Sequence, residues 1–222
     1  MSRPSRNVDA LLLTAGRELY PETGAAGLSI RKVADRAKVN LGMFHYHFRT
    51  KEQFVRQLLQ AIYDEMFASL ELAASAGPPV EALRAALNVL GRFGRDNGRL
   101  LRRLIADALA GEAVALEFLR ANMPRHVRVM VALIAAAQEN GTMRRMPVPQ
   151  AVAFLAGSVA APILIGGAIA ERAPALVPAL TLDLAAIIAS DAAIAERVEC
   201  ALVGLAVPAG AREPARTKGR RS

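Results

Sequence analysis

Apolar residues recur at helical spacing along most of the chain. Near the N-terminus, the apolar positions follow an i, i+3, i+4 pattern: Val8, Leu11, Leu12, Ala15 and Leu19. This spacing predicts an amphipathic helix over 7–20. No segment alternates apolar and polar residues with the period of two that marks a strand. The sequence therefore predicts an all-α protein.

Capping and turn residues divide the first third of the chain into short helices. Pro21, Gly24 and Gly27 are expected to end the first helix. Polar residues suited to the N-cap position open the next three helices: Ser29, Asn40 and Thr50. Thr50 and Gln53 also fit the T-x-x-Q capping-box pattern, at the start of a fourth helix that runs to about residue 74.

The rest of the chain is also predicted to be helical. The turn SAGPP at 75–79 is the first candidate domain boundary. Five further helices are predicted: 80–93, 100–110, 113–139, 150–171 and 181–206. Pro124 is expected to kink or break the third of these. We therefore predict a small N-terminal domain at 6–66, a larger helical domain at 75–206, and a basic disordered tail at 207–222.

Composition and charge narrow the classes of function. The 222 residues carry a net charge of +8, of which +3 falls in 1–66, +1 in 67–206 and +4 in 207–222. Basic ends predict an anionic partner, either nucleic acid or a lipid surface. The single cysteine, Cys200, excludes an intrachain disulfide and a cysteine-based metal cluster. Together with a polar N-terminus, this predicts a cytoplasmic protein.

Two of the three histidines, His45 and His47, lie two positions apart. On a helix they would point about 200° apart and could not ligate one ion from one side. No phosphate loop, nucleophile elbow or dinucleotide motif occurs, so we predict no metal, no cofactor and no catalytic residue. A catalytic site assembled from distant positions leaves no local signature. An enzyme that uses His126 in its C-terminal half therefore remains an alternative.

The segment around the histidine pair has the pattern of a helix-turn-helix, over about 29–48. Two short helices are joined by a three-residue turn, and Phe44 and Phe48, one turn apart, would anchor the second helix on the core. The remaining side chains of this helix would face outward or lie on its flanks: Leu41, Gly42, Met43, His45, Tyr46 and His47.

These residues, in this order, resemble the N-terminal domain of TetR-family transcriptional regulators. The resemblance rests on Ser29, Arg31, Val33 and Ala34, then on 39–48, and then on Thr50, Lys51 and Glu52. It implies that several residues contact operator DNA: Ser29, Arg31, Asn40, Leu41, Gly42, Met43, His45, Tyr46, His47 and Lys51. Lys51 would contact a phosphate.

The sequence departs from the family pattern at two positions. Lys38 stands in the turn where the family usually has glycine, and a non-glycine residue held at positive φ costs about 1 kcal/mol. His45 stands where the family commonly has tyrosine. Because imidazole is shorter than phenol, His45 does not reach the same phosphate.

An uncharged run at 151–170 is long enough to span a membrane. Its many small residues instead favour a helix buried against other helices, so we predict no membrane association, and a membrane-tethered regulator remains an alternative. The family resemblance implies a homodimer held by about 150–171 and 181–206 of each chain. Such a dimer would present two recognition helices to palindromic double-stranded DNA.

The resemblance also implies a small-molecule effector in the larger domain. Candidate contacts follow from position along the chain: Phe93, Leu104, Phe118, Met123, His126 and Met130. Residues of these types at helical spacing are more often ordinary core. Five arginines between 92 and 103 could bind an acidic effector, although such a stripe is more often a solvated face. The function predicted is that of a homodimeric regulator, usually a repressor in this family, which an effector releases from its operator.

Overall fold

The structure is a computed structural model, and it describes residues 8–172 and 184–207. Ten helices occupy these ranges: α1 Val8–Gly27, α2 Ile30–Ala37, α3 Leu41–Phe48, α4 Lys51–Ala74, α5 Pro79–Asp96, α6 Gly98–Leu109, α7 Ala113–Glu139, α8 Val148–Arg172, α9 Leu184–Ala189 and α10 Asp191–Leu205. Within the same ranges, β-type pairing is limited to one antiparallel bridge between Met143 and Ala206. The all-α prediction is confirmed.

The three predicted caps form as expected and fix where α2, α3 and α4 begin. The Ser29 hydroxyl accepts the Lys32 N–H at 3.4 Å, and the Thr50 hydroxyl accepts the Gln53 N–H at 3.1 Å. The Asn40 side-chain oxygen accepts the Gly42 N–H at 2.7 Å. Each bond satisfies one of the backbone donors that a helix start leaves unpaired.

The end of α1 differs from the prediction. Pro21 lies inside the helix, which bends instead at Gly24, where φ is 65° and ψ is −177°. Proline removes a single backbone donor and its fixed φ suits a helix, whereas the angles at Gly24 are open only to glycine. One further turn follows and reaches Gly27.

The first core cluster joins the N-terminal helices to α6 and α7. Phe44, Phe48 and Phe54 pack against one another, with ring centroids 4.9–5.6 Å apart. Leu104 of α6 and Ala115 of α7 belong to the same buried cluster. The core of the predicted N-terminal domain therefore continues into the second half of the chain.

The second core cluster joins the far half of α4 to α5, α7, α8 and α10. Tyr63 and Leu70 of α4 lie in it, together with Leu83, Ile134 and Val198. Because α4 is one continuous helix with buried residues in both clusters, it links the two clusters rigidly. The turn predicted at 75–79 follows the end of α4.

One helix of the second half was predicted wrongly, whereas the bounds predicted for α7, 113–139, are confirmed. The helix α7 continues through Pro124 without a break. The segment predicted as one helix at 181–206 forms two, because Ser190 adopts an extended conformation and caps α10 through the Ala193 N–H at 3.2 Å. The predicted tail lies outside the described residues from 208 onward, as do 1–7 and 173–183.

The helix α8 is buried on one side only. Its buried residues are spaced four apart: Ala151, Leu155, Val159 and Ile163. On other sides Phe154 is 42% exposed and Ile165 is 60% exposed. Burial on all sides, expected from the sequence, is therefore not achieved within one chain. By length and composition alone, the part of α8 over 148–169 could also cross a membrane.

Candidate DNA-binding surface

Two phenylalanines anchor α3 on the core and thereby determine which of its side chains face solvent. Phe44 and Phe48 are 0% and 1% exposed, as the sequence predicted. Tyr46, on the opposite side, is 68% exposed, and Gly42 and His45 are also exposed. An exposed helical face that is anchored by buried aromatic side chains has the geometry needed to enter a DNA groove.

Three other residues of α3 are half-buried and line the edges of this face: Leu41, Met43 and His47. Met43 was expected to point outward. In the structure its side chain is half-buried instead. Leu41 packs partly against the first core cluster. A substitution at Leu41 would therefore affect folding.

The two histidines of α3 have different environments. His45 is exposed, and its Nδ1 lies 3.4 Å from the carbonyl oxygen of Arg49. His47 is half-buried, and its Nε2 is a buried atom that finds no hydrogen-bond partner in the described part of the chain. The Tyr46 ring meets the His47 ring edge-on at 5.2 Å between centroids.

The helix α2 contributes a basic and polar edge beside α3. Arg31 and Lys32 are exposed at its start, whereas Ser29 is half-buried and uses its hydroxyl to cap the helix. Asn40 is exposed and caps α3 in the same way. Both capping residues therefore support the position of their helices, whatever further contacts they make.

The ammonium group of Lys51 is hydrogen-bonded within the protein. Its Nζ donates to the carbonyl oxygen of Ala26 at 2.9 Å, which ties the start of α4 to the last turn of α1. The bond satisfies a carbonyl that the helix end leaves unpaired and fixes the position of the ammonium group. The resemblance predicted Lys51 as a phosphate contact, and its charge remains beside the first turn of α4.

Positive φ angles mark the residues on either side of α3. Lys38, in the turn before α3, has φ 56° and ψ 39°, so the expected left-handed residue is present. Arg49, directly after α3, has φ 56° and ψ −55°. Sequence reasoning missed Arg49, because nothing in its residue type signals positive φ.

A buried carboxylate connects the N-terminal helices to α6. Asp107 is 5% exposed, and its Oδ2 accepts the Tyr20 hydroxyl at 3.0 Å and the Ala25 N–H at 2.9 Å. The Arg103 Nε–H donates to its Oδ1 at 2.8 Å. The bend at Gly24 turns the Ala25 N–H toward this carboxylate. Burial, followed by the nearby Asp107 carboxylate, raises the pKa of Tyr20 well above its usual range.

The six predicted effector contacts are distributed over the two core clusters and the protein surface. Leu104 belongs to the first core cluster and Met130 to the second, while Phe93 and Phe118 pack against both. Met123 is 48% exposed. His126 is half-buried, with its Nδ1 3.3 Å from the Tyr63 hydroxyl, and burial lowers its pKa.

Two cavities lie near these helices. A groove of about 340 Å³ between α4 and α7 is lined in part by Gln60, Phe118 and Asn122. A cleft of about 510 Å³ lies where α1 meets the α5–α6 junction and α8, with Arg17 and Ile163 in its walls. Of the six predicted contacts, these two cavities include Phe118 alone.

A family model described as bacterial regulatory proteins, tetR family, matches residues 12–58. This range contains α2, α3 and the buried phenylalanines that anchor α3. Over these residues the chain has the tetR-family sequence pattern. The matched residues include the capping residues Ser29, Asn40 and Thr50, so the TetR-type pattern and the geometry of this surface agree.

Curated relatives of this chain are named as transcriptional regulators. The HTH-type transcriptional repressor Rv3405c of Mycobacterium tuberculosis is 34% identical over 100 residues, which are 45% of this chain and 47% of that protein. The match therefore spans about half of each. The HTH-type transcriptional repressor DhaR of a Mycobacterium species is 27% identical over 151 residues, 66% of this chain and 76% of the relative.

Solved structures share the fold across most of the chain. The ketosteroid transcriptional regulator KstR2 of Mycobacterium tuberculosis superposes with a TM-score of 0.65 and 18% identity, over 93% of this chain and 97% of that one. A TetR-family regulator of Marinobacter aquaeolei gives a TM-score of 0.65 and 17% identity, over 90% and 96%. At this level of identity the likeness concerns the fold alone.

Proposed function

We propose that this chain is a homodimeric, cytoplasmic regulator of transcription that binds operator DNA and is released by a small molecule. The observation that carries the proposal is the exposed face of α3, held on Phe44 and Phe48 and flanked by the basic start of α2. The relatives named as repressors favour repression as the outcome.

In the proposed complex α3 lies in the major groove. Gly42 allows the backbone to approach the bases closely, and Met43, His45, Tyr46 and His47 read base edges or neighbouring phosphates. Residues outside the helix position it on the phosphates: Ser29, Arg31, Asn40 and Lys51. Leu41, the first residue of α3, contributes an apolar contact to the bases. Phosphate contacts contribute affinity and register, and base contacts contribute sequence preference.

The exposed sides of α8 and α10 supply the proposed dimer interface. Phe154 and Ile165 of α8 are joined by Val203 of α10, which is 72% exposed. Gly204 of α10 lies close to the Phe154 ring, so the two helices present one surface. Large exposed apolar groups on adjacent helices are characteristic of subunit interfaces.

A dimer accounts for α8 better than a membrane span does. The buried side of α8 packs against α5, α7 and α10 of the same chain. Crossing a membrane would separate these contacts, whereas a second copy of the chain covers the exposed side and keeps them. A two-fold dimer also places two copies of α3 on one duplex, in the arrangement that reads a palindrome.

The proposed effector is small and largely apolar, and it acts near Phe93 and Phe118. These two residues join both core clusters, and the groove between α4 and α7 reaches Phe118. Leu104 and Met130 are closely packed, so a ligand would have to displace them, while Met123 and His126 lie toward the surface of α7. Because α4 runs through both clusters, a shift there would change the spacing of the two α3 helices.

Selection of bound duplexes from a random DNA pool tests this proposal. The purified chain is expected to enrich palindromic sequences with half-site centres roughly 34 Å, or one helical turn, apart. Sedimentation of the free protein is expected to give a dimer. Failure to enrich any sequence would contradict the DNA-binding function, and enrichment of single half-sites by a monomer would contradict the dimer.

A further inference from the structure

Positive φ angles among the described non-glycine residues occur at Lys38 and Arg49. Both residues are basic and both are exposed. One lies in the turn that precedes α3 and the other directly follows α3. Two independent outliers thus share charge, exposure and position relative to the proposed recognition helix.

Elsewhere the chain uses glycine for this conformation. The other positive-φ positions in the described ranges are Gly24, Gly77, Gly111 and Gly141. Glycine adopts these angles without the steric conflict that a Cβ introduces. A basic side chain at Lys38 and at Arg49 therefore means that the chain tolerates strain at two places where glycine would avoid it.

Neither side chain is needed for the local backbone geometry. The Lys38 backbone N–H donates to the carbonyl oxygens of Ala34 and Asp35, and the Arg49 N–H donates to that of His45. Glycine would make the same bonds. Within the described ranges neither side chain forms an ion pair, so no charge interaction there explains the strain.

We infer that Lys38 and Arg49 are phosphate contacts that bracket the recognition helix on operator DNA. An eight-residue helix is roughly 12 Å long, about the width of the major groove, so groups just beyond both ends lie near the bordering phosphates. The inference rests on the proposed DNA-binding function and adds two residues that the family resemblance did not supply.

Replacement by glycine separates stability from binding. Lys38→Gly and Arg49→Gly each relieve strain but also add conformational freedom to the unfolded chain, so the net rise in melting temperature is expected to be small, roughly 1–3 °C. Each is also expected to weaken binding to both a selected palindrome and an unrelated duplex. In a dimer that loses two phosphate contacts, the slope of log affinity against log salt should fall by about 1.8.

Two further variants control for charge and for folding. Lys38→Gln removes the charge but keeps the strain, so it should lose affinity as Lys38→Gly does without gaining thermal stability. Arg120→Gln removes one exposed charge from α7, remote from α3, and should leave the salt slope unchanged. Fluorescence anisotropy over a salt series gives the affinities, and thermal melting gives the stabilities.

The outcomes separate the inference from the proposed function. Higher melting temperatures together with unchanged affinity and salt slope would overturn the inference while DNA binding stands. Equal losses in Arg120→Gln would also overturn it, because net charge alone would explain them. If the wild-type chain binds no duplex, the proposed function fails and this inference fails with it.

Discussion

The buried carboxylate at the junction of α1 and α6 gives a quantitative prediction. Tyr20 is fully buried, and its hydroxyl donates to Asp107 at 3.0 Å. Tyr20→Phe removes that hydroxyl and keeps the ring. A hydrogen bond to a charged acceptor contributes about 1.5–3 kcal/mol, and Asp107 would keep two donors, from Ala25 and Arg103. We therefore expect a loss of about 1.5–3 kcal/mol of unfolding free energy.

Urea denaturation and thermal melting at neutral pH measure this loss. For a chain of this size, it corresponds to a drop of roughly 3–12 °C in melting temperature. Tyr46→Phe is the matched control, because it removes a hydroxyl from a side chain that is 68% exposed and should change stability by under ~0.5 kcal/mol. Equal melting temperatures for Tyr20→Phe and wild type would refute the assigned bond.

The pH dependence of the same pair provides a second check. The folded pKa of Tyr20 is raised by burial and by Asp107, so its contribution is complete below the unfolded pKa of about 10 and falls as pH rises. At pH 11 the gap between wild type and Tyr20→Phe should be smaller by about 1.4 kcal/mol than at pH 8. A gap that stays constant over this range would contradict the assignment.

Three other predictions follow from burial and packing. Phe154→Asp should convert dimers to monomers in sedimentation, whereas Leu72→Asp, at a site that is 77% exposed on α4, should leave the dimer intact. Gly16→Ala should destabilise the protein by about 1–3 kcal/mol in urea, because the new Cβ would lie 2.6 Å from the buried Phe54 ring. Burial lowers the pKa of His126, so its contribution is lost as pH falls below about 6.5. His126→Phe should therefore flatten the fall in melting temperature between pH 7 and pH 5.

Local signals accounted for the N-terminal helices. Ser29, Asn40 and Thr50 each act through a backbone donor two or three residues away, so the sequence alone located the starts of α2, α3 and α4. The side of α3 that packs on the core was also predicted from residue spacing, because Phe44 and Phe48 lie one turn apart and share a face. Sequence patterns indicate interactions between residues this close in the chain.

Features that depend on distant partners were not predictable. Asp107 meets Tyr20 across 87 residues, and no local pattern indicates that pairing. The Ala25 N–H, just after the bend at Gly24, donates to Asp107 across 82 residues, and that partner is equally absent from any local pattern. Likewise, the exposure of Ile165 depends on which helices cover α8, and the uncharged sequence at 151–170 does not indicate which side of the helix they cover.

Parallel selections from one random DNA pool, with wild type and Met43→Gln, test most directly whether α3 reads base sequence. Glutamine can form two hydrogen bonds with adenine, whereas the methionine side chain offers an apolar contact. We predict that both proteins enrich palindromes with the same half-site spacing and differ at one base position in each half-site. Identical preferred sequences, or no enrichment by the wild type, would contradict the assignment of α3 as the recognition helix.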